Sequence, residues 1–109
     1  MSTLSTHVLD TALGKPAQGV NVLLKHGGAV LGSGNTDADG RVKDIAGVGT
    51  KLNAGEYSLT FSVADYFRNS SRQTFYSDIV VTFSLVDGDA HYHVPLLVSP
   101  FGYSTYRGS

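Results

Sequence analysis

The C-terminal segment, residues 91–109, reads HYHVPLLVSPFGYSTYRGS. Side chains of a β-strand point alternately to the two faces of its sheet. A first alternating run ends at Ser99-Pro100, and a second continues to the terminus. The first run places His91, His93, Pro95 and Leu97 on one face, and Tyr92, Val94, Leu96 and Val98 on the other. The segment therefore predicts two strands whose faces mix titratable and apolar groups, and we expect them to line a site.

The rest of the chain shows similar short alternating runs separated by turn residues. The clearest places Tyr57, Leu59, Phe61 and Val63 on one face of a half-buried strand. Regularly spaced short strands with Gly, Pro and Asp turns are typical of a β-sandwich. The sequence predicts an all-β sandwich of about eight strands in a single domain, residues 1–109. Strands are predicted at 4–10, 20–25, 30–35, 56–63 and 74–86, a short strand after Gly40, and a short helix at 64–70.

Composition excludes several classes of protein. Eight basic and nine acidic residues leave a formal net charge of −1, which argues against a nucleic-acid-binding surface. No apolar run approaches the roughly 20 residues that a membrane-spanning helix needs. The absence of cysteine excludes disulfides and thiolate metal sites, and it is compatible with a reducing compartment. We expect a cytoplasmic location, and a periplasmic one only if a leader peptide has been removed.

Three local patterns resemble known sites but are incomplete. The run Asp37-Ala-Asp39-Gly40 resembles a calcium loop, yet it lacks the distal Glu, so we interpret it as a turn that places Arg41 at the start of a strand. A His91-x-His93 pair could chelate a metal ion, but a third ligand is not apparent. A Ser-His-Asp triad would need a nucleophile-elbow sequence that this chain does not contain. The sequence therefore predicts neither a metal site nor a serine nucleophile.

Three pieces taken together resemble one family over essentially the whole chain. They are His7-Val-Leu-Asp10, Asp39-Gly40-Arg41 and the segment 91–109 with its Tyr-Arg-Gly-Ser ending. The chain resembles the 5-hydroxyisourate hydrolases, the enzyme branch of the transthyretin-like family. The resemblance implies a sandwich of two four-stranded sheets with one short helix. It also implies a homotetramer, built as a dimer of dimers, with active sites in a channel between the dimers.

The resemblance further implies a reaction and a set of residues. The reaction is hydrolysis of 5-hydroxyisourate to 2-oxo-4-hydroxy-4-carboxy-5-ureidoimidazoline in urate catabolism, without a cofactor. A histidine can accept the proton of water near neutral pH, and an arginine can stabilise the developing oxyanion. Whether His7 or His93 is the general base stays open, and His26 and His91 are interpreted as surface residues. The implied catalytic residues are His7, Arg41 and His93, and the implied substrate-binding residues are Tyr106, Arg107, Gly108 and Ser109.

Two other classes of function remain compatible with the same fold, because a fold alone does not specify function. A small-ligand carrier would use the same intersubunit channel without chemistry, and His7, Arg41 and His93 would then be dispensable. A structural or adhesive module would show no pocket and would be monomeric or filamentous.

Overall fold

The computed structural model describes residues 1–86 and 88–108, which form two β-sheets and one short helix. The strands agree with the alternating runs of the sequence to within a few residues, except in the region before β7. The elements are β1 Thr3–Asp10, β2 Lys15–Pro16, β3 Asn21–His26, β4 Ala29–Asn35, β5 Arg41–Val42, β6 Gly55–Phe61, α1 Val63–Asn69, β7 Ile79–Leu85, β8 His91–Ser99 and β9 Gly102–Thr105.

The two sheets have different numbers of strands. The first has the order β2-β1-β8-β9, and β5 also pairs with β1; the second has the order β4-β3-β6-β7. The predicted all-β sandwich is confirmed, and residues 1–86 and 88–108 contain nine strands in place of about eight. The additional strand arises because two strands of two residues each, β5 and β2, pair one after the other with the edge of β1 that does not face β8. The first sheet therefore has five strands where the resemblance implied four.

The core lies between the sheets and is formed by alternate residues of each strand. In β1 the even-numbered residues are buried and the odd-numbered ones are half-buried, as alternation predicts. The helix α1 contributes Val63 and Phe67, which are fully buried. Each large apolar side chain that is removed from water contributes about 1.5–3 kcal/mol. The largest fully buried apolar side chains are Phe61, Phe67, Leu24, Leu59, Ile79 and Leu96.

Two predicted strands are shorter in the structure. The strand predicted at 74–86 begins at Ile79, because the preceding segment bonds to the β8–β9 turn and not to a neighbouring strand. The N–H of Phe75 and the hydroxyl of Thr74 both donate to the carbonyl of Pro100, at 2.8 and 2.9 Å. The second C-terminal run ends as a strand at Thr105, before the terminus.

The helical content of the described residues is small. No helix in this part of the chain is long and apolar enough to cross a membrane. Asp87, which the sequence places in the turn before β8, lies outside the described residues.

Candidate active site

The outer face of the first sheet brings two predicted histidines together. Strands β1 and β8 run parallel, with Ser5 beside His93 and His7 beside Pro95. Adjacent residues of paired strands project to the same face, so His7 and His93 share the face that points away from the core. Their ring centroids lie 6.2 Å apart, with an angle of 35° between the ring planes. Both side chains are half-buried, which leaves them accessible to a small molecule.

A tight turn places Arg41 next to His7 at the same face of the sheet. The Asp37 carboxylate accepts the N–H groups of Asp39 and Arg41 at 2.9 and 3.0 Å. Gly40 has a φ of +77°, and a Cβ at this position would lie 2.4 Å from the carbonyl oxygen of Val8. This close approach places Arg41 directly opposite His7 in the antiparallel β1–β5 pair. The Asp-Gly run therefore forms a turn that positions Arg41, as the sequence predicts.

The surroundings of His93 favour its neutral form. Burial lowers the pKa of His93 below its ordinary value of 6.5, and the charge of Arg41, followed by His7 and His91, lowers this pKa further. A hydrogen bond with the backbone of Ser5 raises this pKa, but it is the smallest contribution. A histidine with a lowered pKa is neutral at pH 7 and can accept a proton.

A chain of hydrogen bonds behind His93 was not anticipated from the sequence. The Ser5 hydroxyl lies 2.8 Å from Nδ1 of His93 and 2.9 Å from Nε2 of His91. The Thr3 hydroxyl lies 2.6 Å from Nδ1 of His91. His91 is exposed, as interpreted, but it is also bonded to β1. Alternation alone places Thr3, Ser5 and His7 on one face of β1. Only the β1–β8 register shows that this face contacts His91 and His93.

The residues of the C-terminal motif lie at two different sites, Gly108 beside His93 and the pair Tyr106 and Arg107 at a cavity. The N–H of Gly108 donates to the carbonyl of His93 at 2.8 Å, and a Cβ on Gly108 would lie 2.7 Å from Cδ2 of the His93 ring. Tyr106 and Arg107 instead line a cavity of about 220 Å³ between β7 and the β8–β9 pair. The guanidinium of Arg107 stacks 4.4 Å from the centre of the Tyr92 ring. Ser109 lies outside the described residues.

The structure thus groups part of the predicted set. His7, Arg41, His93 and the backbone of Gly108 meet at the outer face of the first sheet, whereas the side chains of Tyr106 and Arg107 border the neighbouring cavity. Within residues 1–86 and 88–108, no three His, Asp or Glu side chains are grouped closely enough to hold a metal ion. The chemistry available at this face is proton transfer by imidazole and charge stabilisation by guanidinium.

Comparison with known proteins identifies the family of this chain. The family model described as HIUase/Transthyretin family matches residues 4–108. The chain belongs to the HIUase/Transthyretin family. Within this family, it is 46% identical over 117 aligned residues to a 5-hydroxyisourate hydrolase of Caulobacter vibrioides, and the alignment covers all of both chains.

Solved structures of the HIUase/Transthyretin family show the same fold. The structure of Klebsiella pneumoniae 5-hydroxyisourate hydrolase superposes with a TM-score of 0.92 at 40% identity, with complete coverage of both chains. Sea bream transthyretin in complex with thyroxine superposes with a TM-score of 0.87 at 28% identity, covering 97% of this chain and 94% of that one. The fold is therefore common to a hydrolase and to a ligand-binding protein, and the sequence is closer to the hydrolase.

Proposed function

We propose that this protein hydrolyses 5-hydroxyisourate, in urate catabolism, to 2-oxo-4-hydroxy-4-carboxy-5-ureidoimidazoline. The observation that carries the proposal is the placement of His7, Arg41 and His93 around one accessible face, reached from three separate strands. The full-length relatives named 5-hydroxyisourate hydrolase support the choice of substrate. The reaction belongs to the cyclic amide hydrolases, because water opens a ring at an amide-like C–N bond.

The roles of the three side chains follow from their chemistry. His93 accepts a proton from water as the water oxygen bonds to the ring carbonyl carbon. Arg41 is exposed and permanently charged, so it orients the anionic substrate and stabilises the oxyanion. The C–N bond then breaks, and the leaving nitrogen takes up a proton. His7 stands beside both groups and contacts the substrate.

The C-terminal residues complete the pocket in this proposal. Gly108 supports the substrate-binding assignment because its N–H holds the backbone of His93. Tyr106 and Arg107 border the cavity beside β7, so their contribution to substrate binding stays a prediction. The contribution of Ser109 to substrate binding also stays a prediction. The expected cytoplasmic location also stays a prediction.

A homotetramer is part of the proposal, because one chain leaves the histidine-bearing face open. Among the described residues, β7 pairs only with β6 and β9 pairs only with β8, so both sheets end at unpaired edges, and these two edges border the same cavity. Exposed apolar side chains accompany these edges, with Val80 55% and Tyr106 57% exposed. Exposed strand edges with apolar side chains favour pairing with another chain. Light scattering of the purified protein measures the number of chains.

The first experiment follows 5-hydroxyisourate that is freshly generated by urate oxidase, through its ultraviolet absorbance. We expect the protein to accelerate its decay above the spontaneous rate. His93→Ala should lower kcat by about 100-fold or more, since loss of a general base costs 10²–10⁴-fold. His26→Ala is the matched control, because His26 is an exposed histidine on the other sheet and should keep full activity.

One outcome would contradict the hydrolase, and a second would contradict the role of His93. No acceleration by the wild-type protein would favour a carrier, in which the same face retains a ligand without turnover. Dissociation of the His93→Ala assembly, seen by light scattering, would mean that His93 supports the structure and not the reaction.

A further inference from the structure

A continuous line of hydrogen bonds runs along the outer face of β1 and β8. It links Thr3, His91, Ser5 and His93, with separations of 2.6, 2.9 and 2.8 Å between successive polar atoms. His93 is half-buried at one end, and His91 is exposed to solvent. The register makes this possible, because Thr3 lies beside His91 and Ser5 beside His93.

The single hydroxyl proton of Ser5 determines how the two rings can be protonated. Ser5 can donate to only one imidazole at a time and must accept from the other. If Ser5 donates to Nε2 of His91, then Nδ1 of His93 carries a proton and donates to Ser5. Nε2 of His93 is then unprotonated, and it is the nitrogen available to water because Nδ1 is engaged. If Ser5 instead donates to Nδ1 of His93, then Nε2 of His93 carries the ring proton.

We propose that Ser5 and His91 form a proton relay that holds His93 in its Nδ1–H tautomer and carries charge from His93 to the solvent-exposed ring of His91. This inference rests on the proposed hydrolysis and identifies His93 as the general base. Ser5 and His91 are positioning residues, since they act through His93 and not on the substrate.

The relay conserves protons through the reaction. Water gives a proton to Nε2 of His93 while its oxygen bonds to the carbonyl carbon, and the carbonyl electron pair becomes the oxyanion. The Nδ1 proton of His93 then passes to Ser5, and the Ser5 hydroxyl proton passes to Nε2 of His91. The relay then runs in reverse: Nε2 of His91 returns its proton to Ser5, and the Ser5 hydroxyl proton passes to Nδ1 of His93. As the oxyanion re-forms the carbonyl and the C–N bond breaks, the electron pair of that bond remains on nitrogen, which takes the Nε2 proton of the His93 imidazolium, and the starting state is restored.

The charges around His93 explain why such a path is useful. The titratable or charged groups that act on His93 are His7 on β1, Arg41 on β5 and His91 on β8. A cation on His93 is therefore opposed by Arg41 and by partial burial. Transfer to His91 moves the charge to an exposed position, where water solvates it.

The decisive measurement is the tautomer of His93 in ¹⁵N-labelled protein without substrate, from long-range ¹H–¹⁵N spectra. The wild-type protein and Ser5→Thr, which keeps the hydroxyl, should show the Nδ1–H form. Ser5→Ala should shift His93 toward the Nε2–H form that isolated imidazoles prefer. His26→Gln is the control and should leave the His93 signals unchanged. An Nε2–H form in the wild-type protein overturns the relay.

Kinetics test the transfer step separately. Ser5→Ala should lower kcat about tenfold with little change in KM. This loss is smaller than the loss expected on removal of the general base itself. Ser5→Thr should recover most of the wild-type kcat. His91→Gln should retain the Nδ1–H tautomer, because its amide oxygen can accept from Ser5, but it should also lose about tenfold in kcat since an amide does not take up the proton. Unchanged kcat in His91→Gln overturns transfer to His91.

Failure of the wild-type protein to hydrolyse 5-hydroxyisourate, with the Nδ1–H tautomer present, would instead contradict the proposed function.

Discussion

At the scale of single residues, His93 shows how the surroundings of a β-strand side chain change its affinity for a proton. Alternation alone places it on a face with His91 and Pro95, as on any amphipathic strand. Partial burial and the charge of Arg41 lower its pKa below 6.5, so the neutral form predominates at physiological pH. The sequence left the choice between His7 and His93 open, and the bond between Nδ1 of His93 and Ser5 favours His93.

Replacing Arg41 by Gln tests this electrostatic effect. The pKa of His93, followed through its Cε1 proton in NMR titrations, should rise because the second-largest cause of its lowering is removed. Hydrolysis should fall about 100-fold, since the oxyanion loses a charged partner. Arg68→Gln is the matched control, because Arg68 is exposed on α1 and pairs with Asp65. An unchanged His93 pKa in Arg41→Gln would contradict this account.

The lowered pKa of His93 also has a consequence for stability. The unfolded chain takes up this proton near pH 6.5, before the folded protein does. The contribution of His93 to stability is therefore complete above pH 6.5 and is lost as the pH falls through its folded pKa.

At the scale of elements, the turn before β5 determines where Arg41 lies. Its geometry was predictable, because Asp side chains accept N–H groups two or more residues ahead and Gly adopts a positive φ. The contacts of this turn with β1 were not predictable from the sequence. Gly40 packs against the backbone of Val8, and its carbonyl accepts the Val8 N–H at 2.7 Å, so the turn is joined to the middle of β1.

Substituting Gly40 by Ala should therefore damage the site more than a comparable change elsewhere. A Cβ would lie 2.4 Å from the Val8 carbonyl oxygen, so the turn has to move and displace Arg41. Gly28→Ala is the control, because Gly28 has a φ of +84° but open space around its Cβ position. Both variants should lose about 1–2 kcal/mol from backbone strain. We expect Gly40→Ala to lose additional stability in urea denaturation, and to lose activity that Gly28→Ala retains. Equal activity in the two variants would show that the turn does not position Arg41.

At the scale of the whole molecule, a buried carboxylate connects β1 to the helix α1 and to the loop that follows it. Asp10, at the end of β1, is fully buried. Its Oδ2 accepts hydrogen bonds from the Tyr66 hydroxyl and the Arg72 guanidinium, both at 2.7 Å, and Oδ1 accepts the Leu13 N–H at 3.1 Å. Burial raises the pKa of Asp10, but these hydrogen bonds together hold it below the ordinary 3.8.

Replacing Arg72 by Met should destabilise the protein by about 3 kcal/mol, because it leaves the buried Asp10 carboxylate without its charged partner. Arg68→Met is the matched control. It breaks the Arg68–Asp65 pair, in which both side chains are at least 70% exposed, and should cost no more than about 0.5 kcal/mol. Urea denaturation at pH 7 measures both values. Similar losses in the two variants would mean that the Asp10–Arg72 pair is not a significant source of stability.

The Asp10 interaction also predicts the acid sensitivity of the fold. Since the folded pKa of Asp10 is lowered, its contribution is present above about pH 4 and is lost as the pH falls through the folded value. The acid destabilisation of the wild-type protein below that pH should therefore be weaker in Arg72→Met.

Most of the strands, their faces and the turn at Arg41 were predictable from the sequence, because alternation and turn chemistry depend on near neighbours in the chain. Ser5 next to His93, the Asp10–Arg72 pair and the end of β9 at Thr105 required the tertiary structure. Ser5 and His93 are 88 residues apart in the chain, and no local preference encodes the register of two strands so distant. A shift of β8 by one residue relative to β1 would turn His91 and His93 to the face opposite His7, so packing of the whole sandwich selects the register.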